Sequence, residues 1–316
     1  MTALTYSTVT VSGYNANPPD DDGTEASSNE VEWQKHLDKI GAPLKTAVES
    51  TQTNITTVTG ALKGAVKGFI SGLETSPDSG DANNDVSVAA GAAVDSTGAY
   101  YMSLSSAITK RADASWAVGD DQGGDDGTVA SDDWNFIHLI YRSDTGVVDV
   151  LLSASPTSPT LPTNYDYFRR IGAFWRNVSG INYSWTQSGD YFFNGKGADY
   201  EDDVFSNYNA VAAAALATVP GVPDGIRIRP IIRMFAGIDG DDAPFLYVGS
   251  PDRDIGDAMV LVAGGYAGTY RNQSYTFECP FKLNTSAQWY RKIENDAFDD
   301  LDGYAIGWID DRDRDG

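Results

Sequence analysis

Two histidines, one cysteine and 45 acidic residues are the raw material for chemistry in this chain. His36 falls in a helical pattern and His138 in an apolar run, and the two are too few and too isolated to anchor a metal site. A zinc site or a nucleophile–base pair needs several such groups to converge. Cys279 stands between Glu278 and Pro280 and reads as a structural thiol. A lone cysteine also excludes an intrachain disulfide. No Walker loop, dinucleotide fingerprint, nucleophile elbow or HExxH is present.

Carboxylates remain. Eight of the acidic residues are Glu and the other 37 are Asp. A pair of carboxylates across a groove can hydrolyse a glycosidic bond. Here nearly every acidic residue lies in a Gly-rich turn, where the short Asp side chain bonds local backbone N–H groups. Three clusters carry oxygen ligands of the kind calcium takes. They are Asp120, Asp121, Asp125 and Asp126; Asp239, Asp241 and Asp242; and Asp310, Asp311, Asp313 and Asp315. None has EF-hand spacing, and solvated loops are the default reading. The expectation is a non-enzyme with no catalytic residue and no dedicated metal site, Ca2+ at the Asp-rich loops being the one cofactor considered.

The elements that would position these groups begin with one helical stretch, Asn29 to Val66. Apolar or small residues recur at Trp33, Leu37, Ile40 and Leu44, then at Val48, Thr51, Ile55, Val58, Leu62 and Ala65. The second set keeps the 3-4 spacing of a coiled-coil seam. Gly41 and Pro43 interrupt the pattern, and Pro suits a first helical turn rather than an interior. The spacing predicts a helix over 29–40, a break, and a second helix over 43–62. Such a helix lies on its own domain or meets copies of itself. Leu44, Val48, Ile55, Val58 and Leu62 are the expected oligomerisation contacts.

Before the helix, Thr2–Val11 alternates enough for an edge strand, and a Pro-, Asp- and Gly-rich arm follows it. After the helix the chain reads as β. Val86–Val88 and Ala99–Leu104 look paired around the turn at Asp95–Gly98. Runs 134–142 and 147–154 flank Ser-Asp-Thr-Gly, a hairpin signal. Runs 165–176 and 181–187 suggest another hairpin. Gly, Asp and Glu cluster at 195–203, where a domain boundary is placed. The alanine-rich run 210–219 is ambiguous between helix and strand, and Pro220 tilts it to strand. Six further runs, 226–238, 244–250, 258–264, 275–281, 287–293 and 304–310, suggest a sandwich or jelly roll.

Charge narrows the partners. A net charge of −23 repels phosphate backbones and anionic membrane surfaces. No basic n-region precedes an apolar h-region at the start, and no apolar run approaches the length of a membrane span. Aromatic residues crowd 165–192, where alternation sends about half to a core and leaves the rest for a binding face. Loops between the last strands offer Arg253, Tyr266, Tyr270 and Arg271 as receptor contacts.

Three phrases in the sequence carry a likeness. The arm GYNANPPDDDGT with its Trp-bearing helix and PLKTAVES resembles the N-terminal region of tailed-bacteriophage virion proteins. NDVSVAAGAAVDSTGAYYMSLSSAITKRADASWAVG and HLIYRSDTGVVDVLLSASPTSPTLPTNYDYFRRIGAFW resemble segments of phage tail-fibre and related structural proteins. The likeness covers roughly residues 11–190 and includes no catalytic signature. It implies a virion structural protein of the tail-fibre or head-fibre type, assembled in the host cytoplasm, usually as a homotrimer. Its expected partners are other phage virion proteins and a host surface glycan or protein, without nucleic acid or membrane insertion.

The resulting expectation is a mainly β protein in four parts. Residues 1–28 form a virion-attachment arm and 29–66 a coiled-coil-like oligomerisation stem. Residues 67–195 form an antiparallel β domain and 196–316 a C-terminal sandwich. A tail fibre is the leading function. A head fibre or capsid decoration protein is the second reading, and a glycan-degrading tail spike the third.

Overall fold

The computed structural model describes residues 41, 44–54, 67–125, 127, 129–194, 214–238, 245–252, 259–263, 271–294, 300–312 and 314. The chain divides into two compact units, Met1–Leu62 and Lys63–Gly316. In the first, the described residues form a helix, α1, over 44–54. The expected strand at 2–11, the helix over 29–40, and seam residues Ile55, Val58 and Leu62 lie outside the described residues.

The second unit is built of strands, numbered β1 to β19 in chain order. A three-stranded sheet has the order β1 (Ile70–Gly72), β4 (Gly91–Val94), β5 (Tyr101–Leu104). A seven-stranded sheet runs β10 (Tyr167–Arg176), β8 (Asp133–Tyr141), β9 (Val148–Ser153), β7 (Asp121–Gly124), β6 (Ile108–Ser115), β3 (Asp85–Val88), β2 (Thr75–Pro77). A five-stranded sheet runs β11 (Trp185–Ser188), β12 (Tyr191–Asn194), β19 (Asp300–Ile309), β14 (Arg229–Ile238), β17 (Arg271–Glu278). A four-stranded sheet runs β13 (Ala215–Thr218), β18 (Gln288–Glu294), β15 (Phe245–Gly249), β16 (Met259–Ala263).

Several sequence signals map directly. The Ser-Asp-Thr-Gly turn joins β8 to β9, with Gly146 at φ 76° closing it. Strand is the outcome for the described part of the alanine-rich run, since β13 pairs antiparallel with β18. Other pairings differ from expectation. Strand β5 pairs with β4 through the 95–98 turn, whereas β3 pairs with β2 and β6. The run GFISGLETS is two strands in two sheets. Gly72 and Leu73 both adopt positive φ, turning the chain between them while Leu73 stays fully buried. After β10 the chain forms only a bridge, Arg176 to Asn182, before β11 enters the next sheet.

Strand β7 also departs from an all-antiparallel plan, because it runs parallel to β6 and to β9. The connection from β6 is very short for a parallel pair, which ordinarily needs a crossover of a dozen residues or more. Positive φ at Gly119 and Asp121 folds this loop back on itself. Backbone bonds from Trp116 N–H to Gly124 O and from Ala117 N–H to Gln122 O hold it down.

The sheet containing β11 and β12 crosses the division drawn at 195/196. Tyr191, Phe192 and Phe193 pair with Ile309, Trp308 and Gly307, and both sides belong to one compact unit. A single large core explains this. Trp134 packs edge-on to Trp308 at 5.2 Å, and Trp308 stacks on Phe192 at 5.2 Å. Trp185 Nε1 donates to Thr75 Oγ1, and Gln187 Oε1 accepts from Thr75 N and Oγ1 at 2.7 and 2.8 Å. Strand β8 is buried on both faces. Leu139 and Ile137 point into the main core, while Ile140 joins Leu151 and Tyr165 in a smaller cluster on the other side. The pleat puts His138, Asp149 and Arg170 on that second side, since they face Leu151, Ile140 and His138 across the ladder.

Candidate functional site

Helix α1 brings the first two seam residues into view. Leu44 and Val48 sit one turn apart and are 60% and 50% exposed. The Thr51 and Thr53 hydroxyls donate back to Ala47 O and Glu49 O, so these two polar groups are served within the helix. Lys45 and Glu49 face each other at 4.0 Å in full view of solvent, a pair of little energetic consequence. A concavity of about 620 Å³ is lined, among the described residues, by Gly41, Leu44, Lys45, Val48 and Glu49. The helix therefore offers an apolar stripe beside an otherwise polar surface.

The proposed receptor contacts Arg253, Tyr266 and Tyr270 lie outside the described residues, and Arg271 opens β17. The aromatic run at 165–192 is largely core: Tyr165, Phe174, Trp185 and Phe192 are buried. What remains outside is a pair that the sequence reading did not isolate. Tyr191 and Phe193 project from the outer face of β12 with rings 6.1 Å apart and nearly parallel. Ladder register places Tyr191 in a row with Ile309 and Arg229, and Phe193 in a row with Gly307, Ile231 and Glu278. Tyr191 Oη donates to Glu278 Oε2 at 3.4 Å across these rows. The signal was the strict alternation Tyr191-Phe192-Phe193, whose middle residue goes inward.

Among the described residues the acidic clusters do not converge on one ion site. Asp120 Oδ1 accepts from Thr109 N and Asp125 Oδ2 from Thr160 N. Asp310 is buried against Arg170, while Asp311 pairs with Lys282. Asp126, Asp239, Asp241, Asp242, Asp313 and Asp315 lie outside the described residues. Among the described residues no group of three or more His, Cys, Asp or Glu is placed to hold a metal ion. His138 is fully buried, Nε2 sits 3.0 Å from Ser155 O, and burial holds the imidazole down to about 3. Cys279 is buried, and burial pushes its thiol up, away from the reactive thiolate.

Two ionic sites inside the β unit are more elaborate. Lys110 and Asp149 meet at 2.8 Å with almost no exposure. The Lys110 ammonium also donates to Ala117 O at 2.9 Å and to Gly119 O, and it lies 5.3 Å from the Trp116 ring centre. Asp149 accepts from Gly119 N at 2.8 Å and from Val150 N at 2.6 Å. This side-chain pair pins the loop between β6 and β7 to β9. The second site joins the end of the described chain to edge strand β10. Arg170 forks onto Asp310, Arg169 Nη2 donates to Arg312 O at 2.5 Å, and Arg312 and Arg314 both reach Asp190. Asp310 and Arg312 thereby fasten to β10, an edge strand.

Comparison with protein-family models finds no match to this chain, and comparison with curated proteins finds none either.

Proposed function

We propose that this chain is a structural component of a phage particle, a tail-fibre or appendage protein that attaches by its N-terminus and projects β structure toward the host surface. It acts without catalysis, and its copies join, as a trimer, through the helical stem. The observation that carries this reading is the stripe on α1. Leu44 and Val48 stand 60% and 50% exposed on a helix whose seam continues in sequence through Ile55, Val58 and Leu62. Burying what remains exposed on each such side chain contributes on the order of 1 kcal/mol, so an aligned seam over several turns is needed to hold copies together. The second copy is the favoured occupant because the stripe repeats at coiled-coil spacing and is bordered by Lys45 and Glu49, charges able to pair between helices. The three virion-like phrases supply the setting. The sandwich form of residues 196–316 and receptor contact through Arg253, Tyr266, Tyr270 and Arg271 belong to the same proposal.

Light scattering tests the assembly. The full chain is expected to be a trimer at micromolar concentration, and Leu44→Asp with Val48→Asp to be a monomer with unchanged near-ultraviolet circular dichroism. A wild-type chain that is already monomeric sinks the stem. Labelled antibody against the β unit, imaged on intact particles, tests the setting. Label at the tail tip fits the fibre, label over the shell moves the assignment to capsid decoration, and sugar release from host glycans moves it to a spike.

A further inference from the structure

Charge decides where copies of this chain can meet. At a net charge of −23 they repel one another, so a contact forms best where acidic residues are absent. None of the 45 acidic residues falls in 50–73, 86–94 or 96–112. These three runs hold the seam positions from Thr51 onward and the whole of the small sheet β1-β4-β5. One face of that sheet turns Ile70, Ala93 and Met102 toward the main core. Alternation puts Ser71, Ala92, Val94, Tyr101 and Ser103 on the opposite face. Phe69 joins them there, its ring 6.0 Å from that of Tyr101. None of the six is charged, and Phe69 and Tyr101 stand 42% and 61% exposed. Burying the rest of these two rings is favourable.

The chain itself brings this face to its counterparts. Phe69 follows Leu62 by seven residues, a length that spans at most about 25 Å when fully extended. Copies joined at the seam therefore hold their Phe69 side chains within tens of ångströms of one another, whatever path the chain takes. Such tethering raises the effective concentration into the millimolar range. A contact too small to hold free chains together then suffices. We propose that this uncharged face, through Phe69 and Tyr101, packs against its counterparts in the other copies, so that the β units as well as the stem join the assembly. The inference rests on the stem as the element that joins the copies.

Two cysteine variants of the full chain test it. Tyr101→Cys lies on the face. Val178→Cys, at a position 78% exposed, lies beyond the far end of β10 from Tyr167, whose ring packs 4.4 Å from that of Tyr100. The native Cys279 is buried and does not compete. A short bis-maleimide should link copies at Tyr101→Cys faster than at Val178→Cys, by roughly tenfold or more. Adding Leu44→Asp with Val48→Asp should abolish the linking. Light scattering on the same samples separates the two claims. An oligomer that links no faster at 101 than at 178 overturns this contact and leaves the stem standing, with the face open to another virion protein or a glycan. A monomeric wild-type chain removes the stem and this contact with it. Linking that survives the stem substitutions also overturns the proposal, because the tether is what makes so small a contact form. Phe69→Ser is the second readout and decides alone if Tyr101→Cys fails to fold. The concentration at which the oligomer half-dissociates should rise on the order of tenfold, and an unchanged value counts against the contact.

Discussion

Lys110–Asp149 and the Arg170–Asp310 pair with its neighbour Arg312 are both buried and both charged, yet they are finished differently. At Lys110 one ammonium meets one carboxylate and two carbonyls, and that carboxylate meets two backbone N–H groups. Its partners lie close along the chain, within 110–150. At Arg312 the partners come from positions more than a hundred residues apart, and donors are left over. A site that closes a local loop can be completed by the backbone next to it. A site that joins distant segments forms only once each segment has reached its place in the fold. The first should then behave as a staple of one loop, and the second as a tie between segments remote in sequence.

The largest effect is expected from Asp149→Ala, which leaves the Lys110 ammonium buried without its counter-charge. Breaking a buried pair in this way costs roughly 3–5 kcal/mol. Urea unfolding of the variant should show it, and Lys110→Met combined with Asp149→Leu should recover most of the loss. A single-variant loss under about 1 kcal/mol would mean that the loop between β6 and β7 is held mainly by its backbone bonds. Asp310→Ala at the other site is expected to cost toward the lower end of the same range, roughly 3 kcal/mol.

Much of the strand content was legible because alternation and turn chemistry are local. The β8–β9 hairpin could be read from its Ser-Asp-Thr-Gly turn, and the C-terminal strands fall close to their apolar runs. Sheet membership was not legible. Nothing near Tyr191 announces that its partner is Ile309, and the Gly- and Asp-rich run at 195–203 looks like a boundary whether or not a sheet continues across it. The parallel placement of β7 depends on a lysine that reads as surface-bound in sequence and is instead fully buried. The helical placement of Leu44 and Val48 was legible, since helical spacing alone picks it. The Tyr191–Phe193 face and the arginine cluster were not, because each is assembled from strands that meet only in three dimensions.

Next in size is a pH effect at His138, which shares its sheet face with Asp149 and Arg170. In the unfolded chain its imidazole takes up a proton near its ordinary value of 6.5, whereas in the folded chain burial, reinforced by Arg170, delays this to about 3. Protonation therefore favours the unfolded chain throughout that window. Stability falls as pH drops below 6.5, by about 1.4 kcal/mol for each pH unit, or about 2 kcal/mol by pH 5. His138→Gln keeps a donor for Ser155 O and removes the titration. Its stability should lose about one proton's worth of slope between pH 6.5 and 5. An unchanged slope would assign the acid sensitivity to other groups.

The smallest effect sharpens the comparison by removing burial from it. Arg227 and Asp252 form the same kind of guanidinium–carboxylate contact as Arg170 and Asp310, but with side chains 46% and 54% exposed. Arg227 Nε also donates to Leu283 O at 3.3 Å, so the arginine has a reason to stay where it is. Water already solvates both charges, and fixing two long side chains costs rotamer freedom. Arg227→Gln should therefore change stability by less than about 1 kcal/mol. Whatever is lost should shrink further at high salt, since the Debye length falls from about 10 Å at 0.1 M to about 3 Å at 1 M. At the buried pair the same salt should leave the cost of Asp310→Ala nearly intact. If Arg227→Gln proved as damaging as Asp310→Ala, and as indifferent to salt, burial could not be what separates these sites. Geometry at the guanidinium fork would then have to carry the difference.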